Sequence, residues 1–183
     1  MIDTALIEHQ RLFANLHSIQ DDIEAGYQIL RDCLARGNKI MLCGNGGSAA
    51  DCQHFAAELV GKWKAPRQPL AAVALTTDTS ALTAIGNDYG YSDVFARQVA
   101  ALGRAGDVLV AISTSGRSPN VVSAIAEAKW RDIRTVMLTG ATGTAGFLDV
   151  CIAVPSADTP RIQEAHEFIL HTWAEALDRW ATS

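Results

Sequence analysis

Apolar residues recur at helical spacing along the first 35 residues of the chain. The stripe repeats every three to four positions, which is typical of a helix with one buried face. Its members are Leu6, Leu12, Phe13, Leu16, Ile19, Ile23, Tyr27, Leu30 and Leu34. The spacing predicts a long helix over residues 3–35, with Gly26 as a candidate break. A stripe this long needs a partner surface, either the body of the domain or another subunit.

Beyond Gly37, short apolar runs alternate with polar loops and with helical patterns. The predicted strands cover residues 39–43, 71–75, 108–112, 135–138 and 150–154. The predicted helices cover residues 49–62, segments between 80 and 102, 119–130 and 160–181. Apolar strands that alternate with helices indicate a parallel sheet covered on both faces. We therefore predict one α/β domain over residues 1–183, with ligands bound at the carboxyl ends of the strands.

Composition and charge argue against several classes of function. The formal net charge is −5, which argues against a nucleic-acid partner because such proteins usually carry a basic patch. The first residues include acids and lack the apolar run of a signal peptide, and no stretch approaches the ~18 apolar residues that span a bilayer. We expect a cytoplasmic protein with no membrane contact. The four cysteines show no C-x-x-C pair and are predicted to be reduced and mostly buried.

Two loops have the composition of a phosphate site, and the first is Cys43-Gly-Asn-Gly-Gly-Ser48. Its glycines allow a ligand to approach the backbone, and the helix that follows offers free N–H groups. The loop is not a dinucleotide fingerprint, because Ala49 stands where the last glycine would fall. It is not a P-loop either, because no Gly-Lys-Ser/Thr follows. We expect no nucleotide cofactor.

The second loop is Ile112-Ser-Thr-Ser-Gly-Arg-Ser118. It places four hydroxyl groups beside the start of a helix, which makes a neutral cradle for phosphate. A simpler interpretation also fits, since Ser118 followed by Pro119 is typical of a helix N-cap and its first residue. Two such loops at strand ends of one sheet favour the phosphate interpretation.

Two helices carry groups that could move a proton. His54 and Glu58 are four residues apart, so the imidazole and the carboxylate share one helix face, while Phe55 and Leu59 can face the core. On the last helix, Gln163 and His171 lie about 80° apart and can serve one pocket, with Glu167 between them. The spacing alone favours simpler interpretations, namely an exposed His–Glu contact and an ordinary helix histidine.

Several segments together resemble the phosphoheptose isomerases of the SIS domain superfamily. They are CGNGGSAADCQHFAAEL, LTAIGNDYGY, GDVLVAISTSGRSPNVV and TPRIQEAHEFILH, and the resemblance runs from about residue 5 onward. It implies an SIS-type three-layer αβα sandwich with a five-stranded parallel sheet, and a homotetramer with sites at subunit interfaces. It also implies conversion of sedoheptulose 7-phosphate to D-glycero-D-manno-heptose 7-phosphate through an enediol, as the first step of nucleotide-activated heptose synthesis.

The resemblance assigns roles to particular residues. Four hydroxyl residues hold the phosphate: Ser113, Thr114, Ser115 and Ser118. Further substrate contacts come from Asn45, Gly46, Gly47, Ser48, Glu58, Asn87, Asp88 and Gln163. Glu58 and His171 form the acid/base pair. Some relatives bind zinc through residues that match His54, Glu58, Gln163 and His171, and this set of nitrogen and oxygen ligands suits zinc.

Other functions stay open at this stage. Some SIS relatives are adaptors without catalytic activity that bind the bacterial replication initiator, but they lack the glutamate and the histidine that this chain has as Glu58 and His171. A phosphosugar-sensing module and an isomerase for another sugar phosphate would share the same loops. An Asn-Asp turn also accounts for Asn87 and Asp88 without any function.

Overall fold

Strands and helices alternate along the chain from residue 40 onward. The computed structural model describes residues 1–64, 66–143 and 147–183. The strands are β1 (Ile40–Gly44), β2 (Ala72–Ala74), β3 (Val108–Ile112), β4 (Arg134–Gly140) and β5 (Val150–Val154). The α-helices are α1 (Ile2–Asn15), α2 (Gln20–Ala35), α3 (Gly47–Val60), α4 (Thr79–Asp88), α5 (Ala96–Leu102), α6 (Pro119–Trp130) and α7 (Thr159–Thr182). The predicted strands β3 and β5 have the observed bounds, and the others differ by one or two residues at an end.

Within the described residues, the five strands form one parallel sheet in the order β2-β1-β3-β4-β5. Strand β2 lies on one side of β1. Strands β3, β4 and β5 follow in that order on the other side of β1. The carboxyl ends of β1 and β3 meet at this point, where Gly44 lies opposite Ile112. Open parallel sheets bind ligands at such a switch point. The topology therefore places both predicted phosphate loops side by side.

Helices cover both faces of the sheet, which gives three layers. On one face, Leu42 and its neighbours pack with Phe55 of α3 and Trp173 of α7. On the other face, Met41 packs in a cluster with Phe95 and with residues of α5 and α6. The residues alternate between the two clusters because successive side chains of a strand point to opposite faces. The predicted fold class is confirmed.

The N-terminal helical segment is interrupted, but not at Gly26. A 3-10 turn at Leu16–Ile19 separates α1 from α2, and Gly26 lies inside α2. A Cβ atom at Gly26 would lie 2.6 Å from Cζ2 of Trp173. The glycine therefore allows α2 to approach α7 closely and does not end the helix. The expected break at Gly26 was wrong, while the long helical segment itself is confirmed.

The described part of the chain contains no helix that is long and apolar enough to cross a bilayer.

All four cysteines are free, as the sequence predicts. Cys33, Cys43 and Cys52 are buried and Cys151 is partly buried. Burial raises the pKa of Cys43 to about 12, which keeps that side chain a thiol at neutral pH.

A buried histidine makes the fold sensitive to acid. His166 is fully buried in α7, and its Nε2 lies 3.2 Å from the carbonyl oxygen of Thr139. Burial lowers the pKa of His166 from its ordinary value near 6.5 to about 4, and the contact with the carbonyl offsets only part of this effect. As pH falls below ~6.5, His166 becomes protonated in the unfolded chain, whereas in the folded chain it stays neutral down to about pH 4. The free energy of unfolding therefore decreases across this window.

We expect His166→Gln to weaken this pH dependence, since glutamine can still donate to Thr139 but does not titrate. Between pH 7 and pH 5, the wild type should lose about 2 kcal/mol more than the variant in unfolding free energy. Urea unfolding followed by circular dichroism at both pH values measures the difference. His17→Gln, at an exposed position, is the control and should keep the wild-type pH dependence. Identical pH slopes for wild type and His166→Gln would contradict the assignment.

Candidate active site

A reciprocal pair of amide hydrogen bonds joins the two loops at the switch point. Asn45 and Asn120 each donate through Nδ2 to the Oδ1 of the other, at 2.8 Å in both directions. Asn120 is buried in the first turn of α6, and its Oδ1 also accepts the N–H of Val121. The loop after β1 is thus fixed to the helix that follows β3. Asn120 lies within the recognised segment GDVLVAISTSGRSPNVV, but neither its residue type nor its spacing predicts this contact.

The loop between β1 and α3 depends on glycine at two adjacent positions. Gly46 has a φ of +57°, in the left-handed region that other residues avoid. A Cβ atom at Gly47 would lie 2.5 Å from Nε2 of Gln163. The amide of Gln163 on α7 therefore lies against the first residue of α3, beside the free N–H groups of that helix. Ser48 follows and is buried.

Ser118 lies at the start of α6, and its hydroxyl contacts a residue at the other end of the loop. It occupies the N-cap position with Pro119 as the first helical residue, as the sequence predicts. Its hydroxyl makes no capping hydrogen bond to any described residue and lies instead 3.0 Å from the hydroxyl of Ser113. Capping alone therefore does not explain this serine. The two hydroxyls close the ends of one loop at the start of a helix.

The rest of this loop is held by backbone contacts. The carbonyl of Thr114 accepts the N–H of Gly140 at the end of β4, at 3.0 Å. The hydroxyl of Ser115 accepts the N–H of Arg117 at 3.2 Å. Gly116 has a φ of +66°, which requires glycine at the tip of the turn. These contacts give the loop a defined shape between β3 and α6.

His54, Glu58 and His171 converge where α3 packs on α7. Nε2 of His54 lies 3.0 Å from Oε1 of Glu58 and 3.0 Å from Nε2 of His171. Nε2 of His171 lies 3.6 Å from the same carboxylate oxygen. The predicted pairing of His54 with Glu58 on one helix face is confirmed, and Phe55 and Leu59 are fully buried as expected. Two helices thus bring two imidazoles and a carboxylate together.

Glu167 and Trp63 complete the surroundings of His171. Oε1 of Glu167 lies 3.0 Å from Nε2 of His171 and 3.3 Å from Nε2 of His54. The ring of Trp63 packs on the ring of His171 with centroids 4.7 Å apart. The sequence analysis placed Glu167 on this helix face without assigning it a role. It missed Trp63, which lies outside every recognised segment.

The carboxyl group of Glu58 is held in a state that favours proton exchange. Burial raises the pKa of Glu58, while the nearby imidazoles of His54 and His171 oppose the rise. Its second oxygen, Oε2, is buried and has no hydrogen-bond partner among the described residues. One oxygen of the carboxylate thus faces the imidazoles, and the other is shielded from solvent. A carboxyl of raised pKa is better matched to proton transfer near neutral pH.

Asp51 is a second, partly buried carboxyl near the same group, and it was not among the residues expected from the sequence. It lies one helical turn before His54, but this spacing alone does not show that the carboxyl enters the site. Burial raises the pKa of Asp51 to about 6, the charge of Glu167 adds to the rise, and His54 opposes it. Its Oδ2 is buried without a hydrogen-bond partner in the described ranges. The site therefore collects more acidic groups than the sequence indicated.

Asn87 and Asp88 lie apart from this cluster within the described chain. Both are exposed at the end of α4, and Asn87 Nδ2 donates to Asp88 Oδ1 at 2.7 Å. No contact among the described residues joins either side chain to His54, Glu58 or His171. Their predicted contact with substrate stays a prediction.

The fold and this site define an SIS-domain protein, and the SIS domain family model matches residues 8–140. The phosphoheptose isomerase of Campylobacter concisus is 52% identical over 180 residues, which cover 97% of this chain and 95% of the relative. The solved phosphoheptose isomerase of Neisseria gonorrhoeae is 48% identical with a TM-score of 0.92, over 97% of each chain. That of Francisella tularensis is 35% identical with a TM-score of 0.93, over 97% of this chain and 96% of the other.

The chain belongs to the phosphoheptose isomerase family. It is thereby an enzyme of the aldose–ketose isomerase class, and the resemblance inferred from the sequence is confirmed. The relatives are named as isomerases and retain this fold over nearly their full length, which favours an isomerase over an adaptor or a sensor.

Proposed function

We propose that the chain converts sedoheptulose 7-phosphate to D-glycero-D-manno-heptose 7-phosphate, at the entry to nucleotide-activated heptose synthesis. The observation that carries this proposal is the approach of Glu58 on α3 to His171 on α7, where α3 begins at the loop that follows β1. An aldose–ketose isomerisation needs a base at carbon and a proton donor or acceptor at oxygen. A carboxylate and an imidazole within 3.6 Å supply both.

The phosphate is bound by the loop of Ser113, Thr114, Ser115 and Ser118. This loop offers hydroxyls together with the free N–H groups at the start of α6, and these groups bind an anion without a formal positive charge. The open-chain sugar extends from there over Asn45, Gly46, Gly47 and Ser48. Gln163 borders this surface through its contact with Gly47. Binding energy from the phosphate thereby orients the reacting carbons, which are several bonds away.

The proton moves between C1 and C2 of the open-chain sugar. The carboxylate of Glu58 takes a proton from C1 of the ketose, the C1–C2 double bond forms, and the C2 oxygen gains a proton to give the enediol. The O1 proton then leaves, the C1 aldehyde forms, and Glu58 returns a proton to C2. His171 donates and accepts at the oxygens, since its Nε2 faces the same carboxyl group. Glu167 orients His171 through the 3.0 Å contact between them.

The same residues fit a zinc ion. Nitrogen and oxygen ligands lie about 2.0–2.2 Å from zinc, so neighbouring ligands of a tetrahedral site are about 3.3 Å apart. The three separations among His54, Glu58 and His171 are 3.0, 3.0 and 3.6 Å. The amide of Gln163 lies against Gly47 in this structure, so it would have to turn toward the cluster to complete the set. A zinc ion held there would polarise the sugar carbonyl as a Lewis acid, and Glu58 and His171 would have to leave the metal to exchange protons.

We expect protein purified without chelator to carry near-stoichiometric zinc. Elemental analysis by plasma mass spectrometry measures it directly, because the ligand set is preformed. His54→Gln should lower the zinc content, whereas His17→Gln, at an exposed position outside the site, should leave it unchanged. Metal-free protein that neither binds added zinc nor changes in thermal stability with zinc would contradict the proposal.

The resemblance also implies a homotetramer, while the charge and the lack of a long apolar run lead us to expect a cytoplasmic protein without a nucleic-acid or membrane partner. An apolar groove supports contact between subunits, because Phe13, Leu16, Ile23 and Phe168 line it and the Phe168 side chain is 46% exposed. In such an assembly, Asn87 and Asp88 would reach a site from a neighbouring subunit. This would account for their distance from the cluster within one chain.

An assay against a panel of ketose and aldose phosphates tests the proposed function. Sedoheptulose 7-phosphate should be the preferred substrate, and exchange of solvent deuterium into the product at C2 should accompany turnover. Binding without exchange would indicate a sensing module. Equal or better turnover of a shorter sugar phosphate would replace the proposed substrate. No turnover of any sugar phosphate, together with capture of the replication initiator, would favour the adaptor.

We expect Ser118→Ala to weaken substrate binding more than it slows turnover. The change removes one hydroxyl from the proposed phosphate loop, and a hydrogen bond to a charged group is worth enough to raise KM about tenfold. Steady-state kinetics with sedoheptulose 7-phosphate measure the effect, and inhibition by inorganic phosphate should weaken in parallel. Ser123→Ala, on the same helix, is the control. An unchanged KM and unchanged phosphate inhibition would contradict the placement of the phosphate.

A further inference from the structure

A buried ion pair lies directly behind the cluster of His54, Glu58 and His171. Nε of Arg67 lies 2.5 Å from Oδ1 of Asp178, and the two side chains are only 1% and 5% exposed. Arg67 belongs to the segment between α3 and β2, whereas Asp178 lies on α7. The pair therefore joins the segment that leaves α3 to the helix that carries His171.

Arg67 also binds the end of the helix that carries Glu58. Its Nη2 donates to the carbonyl of Glu58 at 2.7 Å, and its Nη1 donates to the carbonyl of Leu59 at 2.8 Å. The last carbonyls of a helix have no partner within the helix, and a cation there satisfies them and complements the helix dipole. Only the planar fork of arginine can reach these carbonyls and Asp178 at once. Arg67 thus fixes the backbone of Glu58 itself.

Asp178 acts on the other side of the cluster. It lies seven residues after His171, two turns along the same face of α7. Its Oδ2 accepts the backbone N–H of Lys64 at 2.9 Å. Lys64 directly follows Trp63, whose ring packs on His171 with centroids 4.7 Å apart. The carboxylate thereby fixes the segment that holds Trp63 against His171.

We propose that Arg67 and Asp178 form a positioning pair that sets the distance between Glu58 and His171. The pair connects to Glu58 through a backbone carbonyl and to His171 through Trp63 and through α7. Neither residue touches the proposed reacting atoms, so both act through other groups. The proposal rests on the proposed function, in which those two side chains exchange protons with the substrate.

A second buried carboxylate in this fold provides a matched control. Asp107 is buried, with its side chain 3% exposed, and it pairs with Lys39 Nζ at 2.5 Å. It also accepts the backbone N–H groups of Lys39 and Arg104, which resembles the binding of Lys64 by Asp178. Asp107 directly precedes β3, and no described hydrogen bond or ion pair joins its side chain to His54, Glu58 or His171. Its loss should weaken the fold without moving Glu58 or His171.

The kinetic test compares Asp178→Asn and Arg67→Lys with Asp107→Asn. We expect kcat for sedoheptulose 7-phosphate to fall 10- to 100-fold in Asp178→Asn while KM changes less than about threefold, because small misplacements of catalytic groups cost this much. Arg67→Lys keeps the charge and loses the fork, so its kcat should lie between those of Asp178→Asn and the wild type. Asp107→Asn should keep the wild-type kcat even where its melting temperature falls as far as that of Asp178→Asn.

A measurement without substrate keeps the pair testable if the proposed activity is absent. Histidine side-chain nitrogen signals in NMR spectra, assigned with His54→Gln and His171→Gln, report the surroundings of the two rings. Asp178→Asn and Arg67→Lys should shift them, and Asp107→Asn should not. Unshifted signals with a wild-type kcat would overturn the proposal. Failure of both Asp178→Asn and Arg67→Lys to fold would also overturn it, since the pair would then serve stability alone.

Discussion

Glu58→Gln is expected to reduce turnover of sedoheptulose 7-phosphate by about 10²- to 10⁴-fold, the usual loss when a general base is removed. Glutamine keeps the shape of the side chain, so α3 and its buried face should remain intact. The amide cannot accept a proton from carbon at neutral pH. The effect should fall on kcat and much less on KM, because the phosphate loop contributes most of the substrate binding. Steady-state kinetics and deuterium exchange at C1 and C2 measure the loss.

The control for Glu58→Gln is Glu127→Gln. Glu127 lies on α6, where it pairs with Arg131 outside the site, so its amide variant should retain wild-type kinetics. Circular dichroism of both variants checks that the fold is unchanged. Wild-type turnover by Glu58→Gln would show that another group moves the proton, and Asp51 would be the next candidate because of its raised pKa.

His171→Gln is expected to reduce kcat by about 10²-fold or more, because it removes the group that exchanges protons with the sugar oxygens. It also removes the ring on which Trp63 packs and the partner of Glu167. The side chain is partly exposed, so the loss should affect catalysis far more than folding. The rate of exchange of the carbon-bound proton should fall less than the rate of net conversion, since Glu58 remains in place. NMR spectra of the reaction in deuterated water separate the two rates.

His17→Gln is the matched control for this variant. His17 is exposed in the 3-10 turn between α1 and α2, where its Nδ1 lies 3.5 Å from Oε1 of Gln20, and it lines the groove of Phe13 and Phe168 and not the site. Turnover should be unchanged. If His171→Gln retained both exchange and net conversion at wild-type rates, the role of this imidazole in the proton transfer would be refuted.

The sequence predicts those parts of the fold that local patterns determine. The bounds of β3 and β5 follow from short apolar runs between turn residues, and Phe55 and Leu59 are buried because helical spacing places them opposite the site. The 3-10 turn at Leu16–Ile19 has no local signal. Gly26 suggested a break, but the contact with Trp173 that explains it joins residues 147 positions apart and cannot be read from nearby sequence.

The candidate site likewise contains some features that local patterns predict and others that depend on tertiary packing. The pairing of His54 with Glu58 depends on helical spacing and could be predicted. The approach of His171 to this pair depends on how α7 packs on α3, and only the family resemblance indicated it. Asn120, Trp63 and Asp51 enter the site through tertiary packing. Their roles depend on neighbours in space, which residue types and spacing do not specify.

The two imidazoles that meet in the site lie 117 positions apart along the chain. During synthesis, a nascent chain that extends only through β5 already holds the glycine loop, the serine loop and Glu58, yet it lacks the whole of α7. Such a chain would also expose the sheet face that Trp173 and Ile169 cover in the finished molecule. Partial chains should therefore be inactive and prone to aggregation. Catalytic activity should appear only after α7 packs on the rest of the chain.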